Sequence, residues 1–346
     1  MAHYHNRKYG SRTPGLFDNL DDLSGSDSAD FQVIPPKKLR RAIAGISASR
    51  PQQDIDELPP LDPADDLYFI SFGSGSSGNC SYIGDRNSGF LIDAGVDTCK
   101  VTDTLQANGI DMSAVKGICL THDHGDHIKY VYQIVRKYRH IPVYCTPKTF
   151  NGLLRRHSIS RRIKDYHSPI YKEFPFKIGN FEVTAFDVSH DGTDNAGFFI
   201  THGDKAIAIA TDLGNITERV DYYMKQAQFI VIEANYDAAM LRDGRYPEYL
   251  KARIAADNGH LDNMVTAGYL ASIYTPGIRA VFLCHLSHDN NTPQLALSAV
   301  TEALRKAGVA RFYDGVSGLV AENTDLILAA LPRYDASPLY TLKLTR

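Results

Sequence analysis

The stretch LTHDHGDHIKY places three histidines and two aspartates within six positions, from His122 to His127. Imidazole and carboxylate groups are ligands of zinc, manganese and iron in proteins. His122 and His124 follow an apolar run and are two residues apart. Alternate side chains of an extended chain lie on the same side, so both can reach one cation. Asp126 and His127 follow a turn, which Gly125 would permit. Their side chains can therefore face a second cation position close to the first.

A polar turn without a metal is the alternative interpretation of this cluster. Three partly buried histidines and two carboxylates would then need other partners, because the burial of unpaired polar groups costs free energy. The residue types and their spacing therefore favour a divalent metal site over a polar turn.

The elements that must position the cluster alternate between apolar strands and helical patterns, which predicts an α/β fold with strands buried between layers. The runs that predict strands are LYFISFGS, CSYIGD, SGFLIDAG, KGICLT, IPVYCT, FEVTAFDVSH, AGFFITHGDKAIAIATD, FIVIEAN and IRAVFLCH. Helical periodicity is found in DTCKVTDTLQANGI, HIKYVYQIVRKYRH, YPEYLKARIAADNG and DNMVTAGYLASIY.

Residues 1–65 differ from the rest of the chain, because they are rich in Asp, Ser, Pro and Gly. Such a composition buries too little apolar surface to offset the entropy of ordering, so this segment is predicted to be a disordered extension. Its basic stretch, PPKKLRRAIAGISASRP, is either a short contact helix or a solvated linker. Residues 66–346 are predicted to form one folded domain.

Composition narrows the class of protein. Hydrophobic residues make up 43% of the 346 residues and charged residues 22%, as in soluble globular proteins. The net charge of -3 gives no global basic field that would indicate nucleic-acid binding. Five scattered cysteines without a C-x-x-C pair argue against a disulfide framework. With neither a secretory signal nor a membrane-spanning run in the sequence, the protein is expected to be cytoplasmic.

The histidine cluster and four other motifs resemble the metallo-β-lactamase superfamily. THDHGDH resembles its main motif, and FLIDAG, DVSHD, AIATDLG and AVFLCHLSHDN follow in the family's order around it, over residues 67 to about 320. The resemblance implies a four-layer αβ/βα sandwich with a dinuclear metal site between the sheets. It also implies two divalent metal ions, zinc or manganese, and hydrolysis through a hydroxide that bridges them.

The resemblance also implies a role for each matching residue. One metal would be held by His122, His124 and His190, and the other by Asp126, His127 and His285. Asp212 would bridge the two metals, and Asp93 would support the metal loop from behind.

Further motifs concern the substrate. FGSGSSGNCSYIG, FLIDAG and HLSHDNN resemble the exonuclease-like YycJ/WalJ branch, which is related to ribonuclease Z, so the expected activity is that of a phosphodiesterase or nuclease acting on DNA or RNA. A glyoxalase II type of thioester or lactone hydrolase is the alternative, and an inactive binding protein is a third class. The loop GSGSSGN could bind phosphate through its backbone, although a tight strand connection is the simpler interpretation.

Roles in catalysis and in substrate binding are expected for one of these ligands and for several other residues. Asp126 and His260 are the candidate catalytic residues, because a loop histidine such as the one in NGHLDN can approach the substrate from outside the metal shell and exchange a proton. His260 could instead only cap a helix. Candidate substrate-binding residues are His288 and a basic patch that is otherwise an ordinary solvated helix face, namely Arg155, Arg156, Arg161 and Arg162.

Overall fold

The structure, a computed structural model, describes residues 66–313 and 326–344. Over these residues the chain forms two β-sheets flanked by helices, which confirms the predicted α/β class. The expected disordered extension, residues 1–65, lies outside the described residues.

Seven of the described strands form the first sheet, in the spatial order β15-β1-β2-β3-β4-β5-β6. The bounds of these strands are β1 (Leu67–Gly73), β2 (Cys80–Gly84), β3 (Gly89–Ile92), β4 (Val115–Cys119), β5 (Val143–Cys145), β6 (His167–Pro169) and β15 (Tyr340–Leu342). β3, β4, β5 and β6 pair in parallel, whereas β15, β1, β2 and β3 pair antiparallel.

Eight of the described strands form the second sheet, in the order β13-β14-β12-β11-β10-β9-β8-β7. The bounds of these strands are β7 (Phe176–Ile178), β8 (Phe181–Asp187), β9 (Ala196–His202), β10 (Lys205–Ala210), β11 (Phe229–Glu233), β12 (Ala280–Cys284), β13 (Phe312–Tyr313) and β14 (Leu326–Ala330). β10, β11, β12 and β14 are parallel neighbours, so their carboxyl ends meet at one edge.

The helices lie on the outer faces of the two sheets. The bounds of the described α-helices are α1 (Thr98–Ala107), α2 (Gly125–Ile128), α3 (Val131–Lys137), α4 (Pro147–Arg155), α5 (Glu218–Met224), α6 (Ala238–Asp243), α7 (Glu248–Ile254), α8 (Asn263–Ile273) and α9 (Pro293–Lys306).

Three apolar cores hold the layers together. The central core lies between the sheets, where Phe69 of β1 packs against Phe282 of β12 with ring centroids 4.9 Å apart. A second core joins the first sheet to α1, α3 and α4, and a third joins the second sheet to α5, α8 and α9. Helix, sheet, sheet and helix make four layers, as the motifs led us to expect.

Two details of local structure differ from what the sequence suggested. The arginines of the basic patch do not lie on one helix face: α4 ends at Arg155, and a 3₁₀ segment, Arg161–Tyr166, follows after a loop. Its Ile163 is buried against the outer face of the first sheet, which fixes that segment separately. Gly125 is also not required by its turn, because its φ is not positive and an added Cβ would meet no atom within 4 Å.

Candidate active site

Three histidines converge where the two sheets meet. β4 ends at Cys119, and the chain that leads from it into α2 carries His122 and His124. His190 comes from the loop after β8, in the other sheet. One ring nitrogen from each of the three lies within 4.8 Å of the others, and all three residues are buried. Neutral imidazoles in this arrangement can share one cation.

A second group lies beside the first. Ligand atoms of Asp126, His127 and His285 also lie within 4.8 Å of one another. The Oδ2 atom of Asp126 is 3.4 Å from His127 Nε2 and 3.6 Å from His285 Nε2. Asp126 and His127 belong to the first turn of α2, whereas His285 follows β12, so this group also spans both sheets.

Asp212 lies between the two groups. Its Oδ2 atom is 3.3 Å from His127 Nε2, and its Oδ1 atom is 3.7 Å from His190 Nε2. The Oδ1 atom is also 3.4 Å from Nδ1 of His285, so this carboxylate contacts histidines of both groups. This is the position that a bridging ligand would require.

Three residues of the site have left-handed backbone. Asp93, Asp212 and His285 have φ values of 61°, 54° and 52°. They account for all but one of the described non-glycine residues with positive φ, the other being Glu173. Each follows a buried strand closely, and backbone strain of this kind accumulates at functional sites. Asp and His tolerate the conformation better than most residues.

Asp93 supports the loop that carries the cluster. Its Oδ2 atom is 2.7 Å from His127 Nδ1, and its Oδ1 atom accepts a hydrogen bond from Thr121 N at 2.8 Å. The contact leaves Nε2 of His127 as the atom that faces the centre. Carboxylates commonly orient metal-binding histidines in this way. Burial raises the pKa of Asp93, an effect that His127 opposes.

Glu233, which sequence reasoning missed, organises the other half of the site. This fully buried residue ends β11 and accepts hydrogen bonds from the backbone N–H groups of Leu213 and Leu261. Its Oε1 atom is 2.8 Å from both His260 Nδ1 and His285 Nδ1. The signal was present in FIVIEAN, because a carboxylate at the end of a buried parallel strand must meet the ends of its neighbours.

His260 lies closer to the centre than its place in a loop suggested. The residue precedes α8 and is only 7% exposed. Its ring centroid is 5.1 Å from that of His190 and 5.2 Å from that of His285. With Asp212, Glu233 and His285 it forms a further group of ligand atoms within 4.8 Å. His260 therefore lies against the centre rather than outside it.

The charge states of the histidines divide the site. Burial lowers the pKa values of His122 and His190, and lowers that of His124 to about 4, so these three imidazoles are neutral near pH 7. Burial also acts on His285, but Asp212, Asp126 and Glu233 outweigh it and raise its pKa to about 10. Burial also acts to lower the pKa of His127, but the neighbouring carboxylates of Asp212, Asp126 and Asp93 raise it.

Three buried atoms of the two groups need a further partner. His122 Nε2, Asp126 Oδ1 and His285 Nε2 make no hydrogen bond within the part of the chain that the structure describes. Buried polar atoms without partners are rare and call for a bound water or ion. Nitrogen and carboxylate donors at these separations fit divalent cations such as zinc or manganese. The site thus has the donor set of a divalent metal centre.

The glycine- and serine-rich loop between β1 and β2 braces both sides of the centre. Ser74 Oγ accepts a hydrogen bond from His285 N at 2.8 Å, and Asn79 N donates to the carbonyl of Asp126 at 2.8 Å. Asn79 Nδ2 also donates to Asp126 Oδ2 at 3.0 Å. Gly95 completes the brace, because a Cβ there would lie 1.5 Å from the carbonyl oxygen of Asp126.

The predicted substrate-binding residues lie farther out. His288 is exposed three residues beyond His285 and contacts Asp289. The four arginines of the basic patch lie at the end of α4 and in the 3₁₀ segment after it, and no hydrogen bond or ion pair of the described structure joins them to the histidine groups. These arginines are Arg155, Arg156, Arg161 and Arg162.

Known proteins share both the fold and the sequence motifs. A sequence model described as the β-lactamase superfamily domain matches residues 89–286, and the chain belongs to the metallo-β-lactamase superfamily. Within it, the chain is similar to the exodeoxyribonuclease YycJ of Bacillus anthracis, at 36% identity over 70% of this chain and 90% of that protein. The exodeoxyribonuclease WalJ of Streptococcus pneumoniae is 32% identical over 69% of this chain and 88% of that protein.

Solved structures support the same fold. The metallo-β-lactamase fold protein YhfI from Bacillus subtilis matches 80% of this chain and 100% of its own, with a TM-score of 0.55 and 12% identity. Family membership and the two exodeoxyribonuclease relatives identify the chain as a metal-dependent hydrolase. None of the described helices is long and apolar enough to cross a membrane.

Proposed function

We propose that the chain is a nuclease that uses two divalent cations to hydrolyse phosphodiester bonds in nucleic acid, with an exonuclease-like mode of action. The observation that carries this proposal is the position of Asp212 between two complete groups of ligand atoms. The relatives named as exodeoxyribonucleases support DNA as the substrate. The assignments of His122, His124 and His190 to one cation and of Asp126, His127 and His285 to the other are part of the proposal.

Two divalent cations, zinc or manganese, would supply stabilisation of charge on the phosphoryl oxygens and would make a water molecule acidic enough to act near neutral pH. The protein supplies the geometry. Asp93 and Glu233 hold ligand histidines by their Nδ1 atoms, which leaves the Nε2 atoms of those rings for the centre.

His260 is the proposed proton donor to the departing oxygen. Its Nδ1 atom is held by Glu233 at 2.8 Å, so Nε2 is the atom that can exchange a proton with substrate. The ring lies beside both His190 and His285, and therefore close to any phosphate bound there. A carboxylate, an imidazole and a leaving group in series form a proton-transfer arrangement.

A cytoplasmic location belongs to the same proposal. All five cysteines are free, and four of them are buried within the fold. Thiols that are not paired in disulfides agree with a reducing compartment, where nucleic acid is also found.

Cleavage assays test the proposal directly. Protein loaded with zinc or manganese would be incubated with end-labelled single- and double-stranded DNA and RNA, and in parallel with a glutathione thioester. We expect stepwise shortening of DNA by the wild-type protein, and loss of cleavage to the detection limit in Asp126→Ala and Asp212→Ala. Asp204→Ala, which changes an exposed carboxylate in the turn between β9 and β10, is the control that should retain activity.

Two results would contradict the proposal. Hydrolysis of the thioester alone would assign the chain to small-molecule hydrolases with the same metal site. Cleavage of DNA that persists in both aspartate variants would place the activity elsewhere or in a contaminant. Metal content measured on the same samples shows whether each variant has lost cations or only turnover.

A further inference from the structure

Arg333 lies at the same edge of the molecule as the metal centre. It follows β14, and Leu331 N donates a hydrogen bond to the carbonyl of Leu283 in β12 at 2.8 Å. The carbonyl of Pro332 then accepts from Ser74 N at 3.1 Å. Ser74 is the residue whose hydroxyl accepts from the backbone of His285. These contacts place Arg333 next to the brace of the centre.

The guanidinium of Arg333 is incompletely satisfied. Its Nη1 atom lies 3.3 Å from Ser76 Oγ, whereas its buried Nη2 atom has no hydrogen-bond partner among the described residues. No carboxylate of those residues lies within ion-pair distance of it. Asp289, a carboxylate that acts on Arg333 from a longer distance, is engaged by Tyr246 at 2.7 Å and by His288 at 2.9 Å. A partly desolvated cation without a counter-ion favours a bound anion.

The loop beside Arg333 adds further donors. Ser76 and Ser77 are exposed, and within the described structure their backbone N–H groups have no acceptor. Gly75 allows the guanidinium to approach, because a Cβ at this position would lie 2.9 Å from Arg333 Nη1, and its φ is +154°. Successive free N–H groups beside an arginine form the kind of concavity that binds phosphate.

We propose that Arg333, together with the amide and hydroxyl groups of Ser76 and Ser77, binds a phosphate group of the nucleic-acid substrate next to the phosphate that is cleaved. This inference rests on the proposed nuclease function. The subsite lies two residues along the chain from Ser74, within about 8 Å of the residue that touches His285. A terminal phosphate and an internal diester phosphate would both fit this chemistry.

Kinetics on two substrates test the subsite. Arg333→Gln should lose roughly 10- to 100-fold in kcat/KM on a DNA oligonucleotide, mainly through KM, because one charge-assisted contact is removed. On bis(p-nitrophenyl) phosphate, which has a single phosphate, the same substitution should change kcat/KM little. Arg86→Gln is the matched control, since this exposed arginine lies in the turn at the opposite end of β2. Oligonucleotides with a 5′-phosphate, a 3′-phosphate or free hydroxyl ends separate a terminal phosphate from an internal one.

Binding measured without turnover keeps this inference distinct from the proposed function. Fluorescence anisotropy with a hydrolysis-resistant phosphorothioate oligonucleotide should show a salt slope that is lower by about one in Arg333→Gln, and largely retained in Arg333→Lys. If binding depends on Arg333 but no cleavage occurs, the proposed nuclease function is refuted and the proposed phosphate subsite is retained. Normal kinetics in Arg333→Gln, or equal losses on both substrates with normal metal content and unfolding midpoint, would refute the subsite and keep the nuclease.

Discussion

The two halves of the metal centre are built in different ways. The first half is the single loop after β4, in which six consecutive positions carry His122, His124, Asp126 and His127. The second half gathers His190, Asp212, Glu233, His260 and His285 from five separate segments. One buried carboxylate supports the loop half through His127, whereas Glu233 bonds two histidines and two backbone amides of the second half.

This difference separates local from shared support. In the loop half, a change at Asp93 acts on one histidine and its loop. In the second half, Glu233 links a candidate ligand, His285, to the candidate proton donor, His260. Metal binding and proton transfer should therefore be coupled in the second half and separate in the first.

Among the variants that test this comparison, His260→Ala should have the largest effect. We expect turnover to fall by roughly 10²–10⁴-fold, the range for loss of a general acid, while both cations stay bound. Single-turnover cleavage and metal titration on the same samples measure the two properties. His140→Ala, which changes an exposed histidine outside the centre, should behave as the wild type. If His260→Ala loses a cation, the residue is a ligand; if cleavage is near normal, it has no part in the mechanism.

A matched pair of carboxylate variants sharpens the comparison. Glu233→Gln removes a buried charge that supports two histidines, and Asp93→Asn removes one that supports His127. Each should lower the affinity for divalent cations by roughly 10- to 100-fold. At saturating metal, turnover by Glu233→Gln should remain low, because His260 has lost the carboxylate that holds its Nδ1 atom. Asp93→Asn should recover most of its turnover there. Isothermal titration and kcat at saturating metal separate the two variants, and equal recovery in both would break the proposed division.

The smallest expected effect is a pH dependence of stability in protein stripped of metal. The folded-state pKa of His285 is about 10, above its ordinary value of 6.5, so its protonation stabilises the fold fully below about pH 6.5 and progressively less as the pH rises towards 10. Between about pH 6 and pH 8 the wild type should lose on the order of 1–2 kcal/mol more than His285→Gln.

Denaturant unfolding in a chelator at both pH values checks this prediction. His127, whose pKa is also raised, is present in both proteins, so the difference between them isolates His285. Equal losses in the two proteins would show that His285 carries no extra proton in the folded state.

The loop half of the site could be predicted from sequence, and the second half only in part. The spacing of His122 and His124 after an apolar strand is local information, and the structure brings both to one point with His190. Glu233 could not be assigned in this way, because its importance depends on which strands lie on either side of β11. Pairing of β10 and β12 with β11 is a property of the folded sheet.

Glycine positions illustrate the same limit. Gly125 lies inside the motif, and a turn requirement was the natural explanation, yet the structure leaves open space there. Gly95 lies outside the histidine cluster, at the end of FLIDAG, and is the position where any side chain would collide with the backbone of Asp126. Strand β15 was also not predicted, since its pairing with β1 joins Leu342 to Leu67 across nearly the whole domain.

The left-handed backbone of Asp93, Asp212 and His285 has an evolutionary consequence. Glycine adopts this conformation without the strain that a side chain incurs, which is of order 1–3 kcal/mol per residue. Selection for stability alone would therefore favour glycine at the ends of these three strands. Because aspartate and histidine are kept at these positions, the protein gives up part of the stability of its fold for the chemistry of the site. Descendants that lose the reaction should drift towards glycine or asparagine first at these positions.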